Sequence, residues 1–187
     1  FDCIGGAIEF YKNTGTSTAP VFVPQLLNSA PGNIKYLDFG LNPVPCFVDI
    51  DDDGDQDLFV GNSMGNIIFV KNIGNATDPS FVIQCDIDES CPTSGTFSQM
   101  NSGTGNPFHL VNVGPYAAPF PIDFDNDGDM DMAVGNKGGV LKYFQNTGSP
   151  TNPSFTEQKD TNNPFNDITN VHVGTATAAA LPFLFDA

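Results

Sequence analysis

The chain repeats itself, and the repeat constrains its architecture more tightly than any other feature. Residues 45–81 read PCFVDIDDDGDQDLFVGNSMGNIIFVKNIGNATDPSF, and residues 119–155 read PFPIDFDNDGDMDMAVGNKGGVLKYFQNTGSPTNPSF, in a gapless register of 74 residues. Asp49 falls on Asp123, Gly54 on Gly128, Gly61 on Gly135, Asn72 on Asn146 and Phe81 on Phe155. A partial third copy, GGAIEFYKNTGTSTAPVF at 5–22, matches 64–81 at an offset of 59. A fourth begins at the other end, where Pro182 precedes Asp186 as Pro45 precedes Asp49 and Pro119 precedes Asp123. The connectors repeat too. Asn106-Pro107-Phe108 leads to Val113-Gly114, Asn163-Pro164-Phe165 leads to Val173-Gly174, and Phe39-Gly40 holds the equivalent place in the first connector. A period of this size, with several short strands per unit, marks propeller blades or a solenoid.

Within one unit the strands read directly. CFVDI (46–50) is a short apolar run ending at an acidic loop, and LFVGN (58–62) follows that loop. A Gly-containing turn then leads to IIFVKN (67–72), and after a polar turn the stretch 80–84 is again apolar and β-branched. Four short strands separated by turn residues fit one antiparallel propeller blade. The expected fold class is therefore all-β, a β-propeller segment over 1–187. Its units run 1–44 (partial), 45–118 and 119–181, with 182–187 opening another. The Ala-rich run 176–180 is too short for a helix and is hemmed in by Gly174 and Pro182.

The acidic loop carries the chemistry. Asp49, Asp51, Asp53, Gly54, Asp55 and Asp57 form D-x-D-x-D-G-D-x-D, and Asp123, Asp125, Asp127, Gly128, Asp129 and Asp131 repeat it. Carboxylates at loop positions 1, 3 and 5 converge when the chain curls around a cation. Gly at position 6 permits the turn, position 7 offers its carbonyl and position 9 closes the shell. Oxygen-only donors select hard cations, and Ca²⁺ tolerates such irregular shells better than Mg²⁺. The loop is not a full EF-hand: position 12 is Val60 or Val134 rather than Glu, and the flanks are strand-like. Without a cation, five carboxylates in nine residues would repel one another.

Composition narrows the partners. Six Lys, no Arg and 22 acidic residues give a formal net charge of −16, which opposes binding to nucleic acid or to an anionic membrane. Seventeen Phe residues are more than a disordered acidic tail would carry. No run of 18 apolar residues is present to span a membrane as a helix.

These motifs, D-x-D-x-D-G-D-x-D followed by (L/M)-x-V-G-N, then G-x-(I/L)-x-(F/Y)-x-N-x-G and P-x-F, resemble the FG-GAP or VCBS repeat. That repeat is found in integrin α-subunit propellers and in many bacterial and eukaryotic surface proteins. The resemblance covers nearly the whole chain. It implies a calcium-loaded β-propeller, usually of seven blades, with each loop joining the first two strands of a blade. By position, the implied ligands are Asp49, Asp51, Asp53, Asp57 and the Asp55 carbonyl, then Asp123, Asp125, Asp127, Asp131 and the Asp129 carbonyl. Nothing here matches the loops through which the integrin members contact their protein ligands.

An even count of four cysteines in an acidic, Arg-free chain points to a secreted protein with two disulfides, the other reading being buried thiols. Cys85 and Cys91 enclose five residues and suit a small hairpin bridge, which leaves Cys3 to pair with Cys46. Asn75-Ala76-Thr77 is an N-glycosylation tripeptide in the polar turn of the complete first unit. The two His residues, His109 and His172, lie in connectors and suit packing better than catalysis. The paired carboxylates are accounted for by the cation, and no nucleophile motif is present, so an enzyme is not expected. The expected function is an extracellular, calcium-stabilised module for protein or glycan binding, adhesion or structural assembly, with two Ca²⁺ sites. The competing expectation is the propeller domain of a secreted carbohydrate-active lyase or hydrolase whose catalytic part lies elsewhere.

The chain starts FDCIGGAIEF, without the pattern of a signal peptide, so it reads as processed or as a piece of something longer. Phe1 aligns with Val60 and Val134, and Ala187 follows the loop-opening Asp186. Propellers close with about four to eight blades, so three repeat lengths imply a longer chain or partner chains that complete the ring.

Overall fold

The computed structural model describes residues 6, 8, 11–24, 38–83 and 105–168. They form an all-β structure with one 3₁₀ turn, Asp160–Asn162, as their only helical element. No helix among them is long and apolar enough to cross a membrane. A hairpin of β1 (Tyr11–Asn13) and β2 (Phe22–Pro24) precedes two four-stranded antiparallel sheets. The first sheet contains β3 (Val44–Val48), β4 (Asp57–Gly61), β5 (Ile67–Asn72) and β6 (Phe81–Ile83). The second contains β7 (Ala118–Ile122), β8 (Asp131–Gly135), β9 (Leu141–Asn146) and β10 (Phe155–Gln158). Each sheet is a meander in chain order, as short connections between antiparallel neighbours require.

The four expected strands per unit are present in both complete units, with small shifts. The strand expected over 46–50 runs Val44–Val48, which leaves Asp49 and Ile50 in the loop, and the next strand opens on Asp57 itself. The register Val48↔Asp57 and Ile122↔Asp131 is the same in both sheets, so the acidic loop is the crossing between first and second strands.

Strand alternation splits each sheet into two apolar faces. In β4 all five residues are buried, which is the pattern of a strand covered on both sides. Leu58 and Val60, with Ile68, Val70, Phe81 and Ile83, pack against Phe39 and Ile8. Phe59, Ile67 and Phe69 face the other way, onto Met132, Val134 and Phe144 of the second sheet. Ala133 and Tyr143 of that second sheet then face Phe165 on its far side. The sheets are thus stacked face to face with a hydrophobic layer on either side of each.

Phe108, from the connector, sits fully buried in the middle layer. Its ring stacks on Phe155 at 4.7 Å and meets Phe59 and Phe144 edge-on at 5.8 and 5.3 Å. The two sheets approach so closely that a Cβ on Gly61 would lie 2.3 Å from the Ala117 carbonyl oxygen. That contact explains the glycine of the V-G-N motif.

Asparagines fasten the turns and connectors. Asn72 Oδ1 accepts the N–H groups of Gly74 and Ser80, and Asn146 accepts those of Gly148 and Ser154. Asn13 does the same for Gly15 and Val21, so β1 and β2 carry the same closed turn as the last two strands of each full unit. Asn62 and Asn136 donate to the carbonyls of Phe39 and Val113, while Asn106 and Asn163 donate to those of Ile67 and Leu141. Asn62, Asn106 and Asn136 thereby satisfy buried backbone carbonyls that the stacked sheets exclude from water.

The expected bridge from Cys3 to Cys46 is corrected. Cys46 is a free thiol in β3, directly opposite Phe59, and it packs on the layer between the sheets. Gly6 and Ile8 approach the chain elsewhere: Gly6 bonds to Asp38, and Ile8 packs on the sheet's opposite face. Burial pushes the Cys46 thiol pKa up to about 12, against a lesser lowering by its hydrogen bond to the Phe59 backbone. Apolar packing, not this sulfur, joins the sheets. Cys3, Cys85, Cys91 and His172 lie outside the described residues.

Candidate metal centre

Each acidic loop is wound by two residues in the left-handed region. Asp52 (φ 54°) and Gly54 (φ 90°) turn the first loop, and Asn126 (φ 58°) and Gly128 (φ 100°) turn the second. Asp, Asn and Gly tolerate this conformation better than other residues do. A Cβ at Gly54 or Gly128 would meet nothing, so the glycines are needed for backbone conformation and not for space.

The winding brings position 1, 3 and 5 carboxylates together. Asp49, Asp51 and Asp53 each offer an oxygen within 4.8 Å of the others, and Asp123, Asp125 and Asp127 do the same. Loop amides hold the arrangement. The Asp53 and Gly54 N–H groups donate to the two oxygens of Asp49 at 3.2 and 3.0 Å. Asp55 N–H donates to Asp53, and Asp129 N–H donates to Asp127, both at 3.1 Å.

Position 9 stands apart from this trio. Asp57 and Asp131 open the second strand of each sheet and are almost fully buried. Asp57 Oδ1 accepts the Asn72 N–H at 2.7 Å, and Asp131 Oδ1 accepts the Asn146 N–H at 2.8 Å. Asp131 Oδ2 also accepts from the Phe124 N–H and from the Tyr143 hydroxyl, the latter at 2.5 Å. Phe69 occupies the place of Tyr143 in the first unit and has no hydroxyl to give. Asp57 Oδ2 has no hydrogen-bond partner.

The sequence did not reveal the partners on β5 and β9. Lys71 Nζ binds Asp51 Oδ2, and Gln145 Nε2 donates to Asp125 Oδ2 at 2.7 Å. A signal existed: both residues follow their carboxylate by the same 20 positions. Only the curl of the loop over the neighbouring strand makes that separation a contact.

The electrostatics are those of crowded carboxylates in partial burial. Desolvation raises Asp57 to about 7, with the Asn72 N–H opposing and Asp51 adding repulsion. Asp129 is raised to about 6, first by desolvation and then by its neighbour Asp127. Asp55 and Asp131 are raised mainly by desolvation as well. Asp127 goes the other way, lowered by the Asp129 backbone N–H. Tyr143 is pushed up by burial and then by the Asp131 carboxylate.

The donor set fits a hard cation. Asp51 Oδ1, Asp55 Oδ1, Asp57 Oδ2, Asp123 Oδ1 and Asp129 Oδ1 are all buried with no hydrogen-bond partner, an arrangement of acceptors that a bound cation would satisfy. The sequon residue Asn75 lies in the exposed turn between β5 and β6, where its Oδ1 accepts from the Thr77 N–H and hydroxyl and from the Asp78 N–H. His109 sits in the connector beside Phe108, with its backbone N–H on the Asn106 carbonyl. Comparison with protein-family models, curated proteins and solved structures finds no match to this chain.

Proposed function

We propose that the chain is a segment of a calcium-stabilised β-propeller acting as an extracellular module for protein or glycan binding, adhesion or structural assembly. The carrying observation is the pair of carboxylate trios, each with buried, unpartnered oxygens beside it. Asp49, Asp51 and Asp53, and Asp123, Asp125 and Asp127, would hold Ca²⁺, with Asp57 and Asp131 and the carbonyls of Asp55 and Asp129 as the remaining donors. The bound ion supplies positive charge that lets these carboxylates stay ionised together.

Three features support the propeller reading. Each unit is a four-stranded meander, each sheet has apolar layers on both faces, and the hairpin β1–β2 repeats the outer turn of the full units. The resemblance to FG-GAP or VCBS repeats agrees with all three. Further blades, from a longer chain or from other subunits, complete the ring. A protein or glycan ligand then binds the assembled surface, and Asn75 is a glycosylation site.

Calorimetric titration of EDTA-stripped protein tests the reading. About two Ca²⁺ equivalents are expected, and Asp53→Ala and Asp127→Ala should each remove one. At millimolar calcium and a Kd of about 10⁻⁴ to 10⁻³ M, each site stabilises the fold by roughly 1 kcal/mol. Absence of any calcium binding overturns the reading.

A further inference from the structure

We propose that Lys71 is a resident cation of the first loop, which makes that loop the weaker calcium site and the less dependent on calcium for its shape. The inference rests on the calcium reading above and deepens it. The two loops are near copies, so their differences are informative. At the position where β9 presents the neutral Gln145 amide to Asp125, β5 presents the Lys71 ammonium to Asp51. The Lys71 side chain is one-third exposed (33%) while the Asp51 side chain is 10% exposed, so the ammonium reaches inward from the rim onto a ligand oxygen.

The first loop has six carboxylates, because Asp52 stands where the second has Asn126. Lys71 therefore equalises the formal charge of the two sites. Position decides the outcome. Asp52 is exposed at the apex of the loop, where solvent screens it, whereas Lys71 touches an oxygen that the cation needs. A dication entering the first loop must displace the ammonium or share Asp51 with it. At a separation of about 5 Å the repulsion between them, even in a water-like dielectric, weakens binding by roughly tenfold or more.

Asp51 Oδ1 and Asp55 Oδ1 remain buried and unpartnered in the presence of Lys71, so the ammonium leaves acceptors for an ion rather than replacing it. In the second loop the Tyr143 hydroxyl engages Asp131 at position 9. It brings no charge, so it does not reproduce the effect of Lys71.

The test uses the intact chain, stripped with EDTA and titrated with Ca²⁺ by calorimetry, with melting temperatures recorded in EDTA. Lys71→Gln installs the amide–carboxylate pair already present at Asp125, so the hydrogen bond survives and only the charge is removed. Wild type should show two unequal sites. Lys71→Gln should tighten the weaker one about tenfold and lower the melting temperature in EDTA. Gln145→Lys should do the reverse at the second loop, weakening it about tenfold and raising the EDTA melting temperature. Should Lys71→Gln fail to fold, Gln145→Lys alone decides. Equal wild-type sites, or affinities that neither substitution moves, overturn this proposal while leaving the calcium reading intact. A wild-type chain that takes up no calcium overturns both.

Discussion

Replacing Asp57 by Asn should stabilise the calcium-free protein at alkaline pH, a reversal of the usual cost of altering a buried, hydrogen-bonded residue. Asp57 is 1% exposed, its Oδ1 accepts the Asn72 N–H, and its Oδ2 has no partner. Desolvation first, and repulsion from Asp51 and Asp53 after it, lifts its pKa from 3.8 to about 7 against the Asn72 hydrogen bond and Lys71. The folded state therefore holds this proton more tightly than the unfolded chain does. Its contribution is fully present below about pH 4 and is lost as the pH climbs through about 7. A shift of about 3 units at roughly 1.4 kcal/mol each sets a ceiling of about 4 kcal/mol on what the ionised group costs at pH 8. Asn keeps the acceptor for the Asn72 N–H and cannot ionise. In EDTA at pH 8 the Asp57→Asn melting temperature should exceed wild type by roughly 5–10 °C, at about 2–4 °C per kcal/mol for a chain of this size. The gap should close near pH 4. With saturating calcium the order should reverse, because the variant has lost a donor. A variant no more stable than wild type at pH 8 in EDTA, or a gap independent of pH, would refute the reasoning.

Phe108→Ala removes the ring at the centre of the layer between the sheets and should cost about 3–5 kcal/mol, read as a fall in the urea midpoint. Cys46 should stay unmodified by a thiol reagent at pH 8 in the folded protein and react at once in denaturant, since burial keeps its thiol protonated.

Much of the fold was legible because the repeat aligns turns as well as strands. The run 67–72 became β5 without any shift, and the acidic loop fell between the first two strands of each sheet. The convergence of positions 1, 3 and 5 was legible for the same reason: a glycine at position 6 marks where the chain can take the positive-φ turn that the curl requires. Contacts that depend on which face a residue occupies were not. Cys46 shares a face with Phe59 only because Val48 pairs with Asp57, and a shift of one residue would have turned its sulfur toward Phe39. The grip of Lys71 on Asp51 was hidden likewise, since it joins a loop to the end of the second strand after it. Position 9 also clasps the Asn72 and Asn146 amides through one carboxylate oxygen, a role that spacing alone does not reveal.

The layers flanking the first sheet are chemically unlike. One packs the aliphatic Leu58, Val60, Ile68, Val70 and Ile83 around Phe39 and Phe81, while the other gathers the rings of Phe59, Phe69, Phe108, Phe144 and Phe155. The units share their loops and turns almost letter for letter, yet each face matches only the neighbour it meets. Two modules that look interchangeable in their hinges are therefore keyed by their flat sides, and exchanging them would set a ring-sized bump against a methyl-sized hollow. Order along the chain is written in these surfaces. A duplicated unit must first diverge at Phe59, Phe69 and their partners before it can take a fixed seat in the stack.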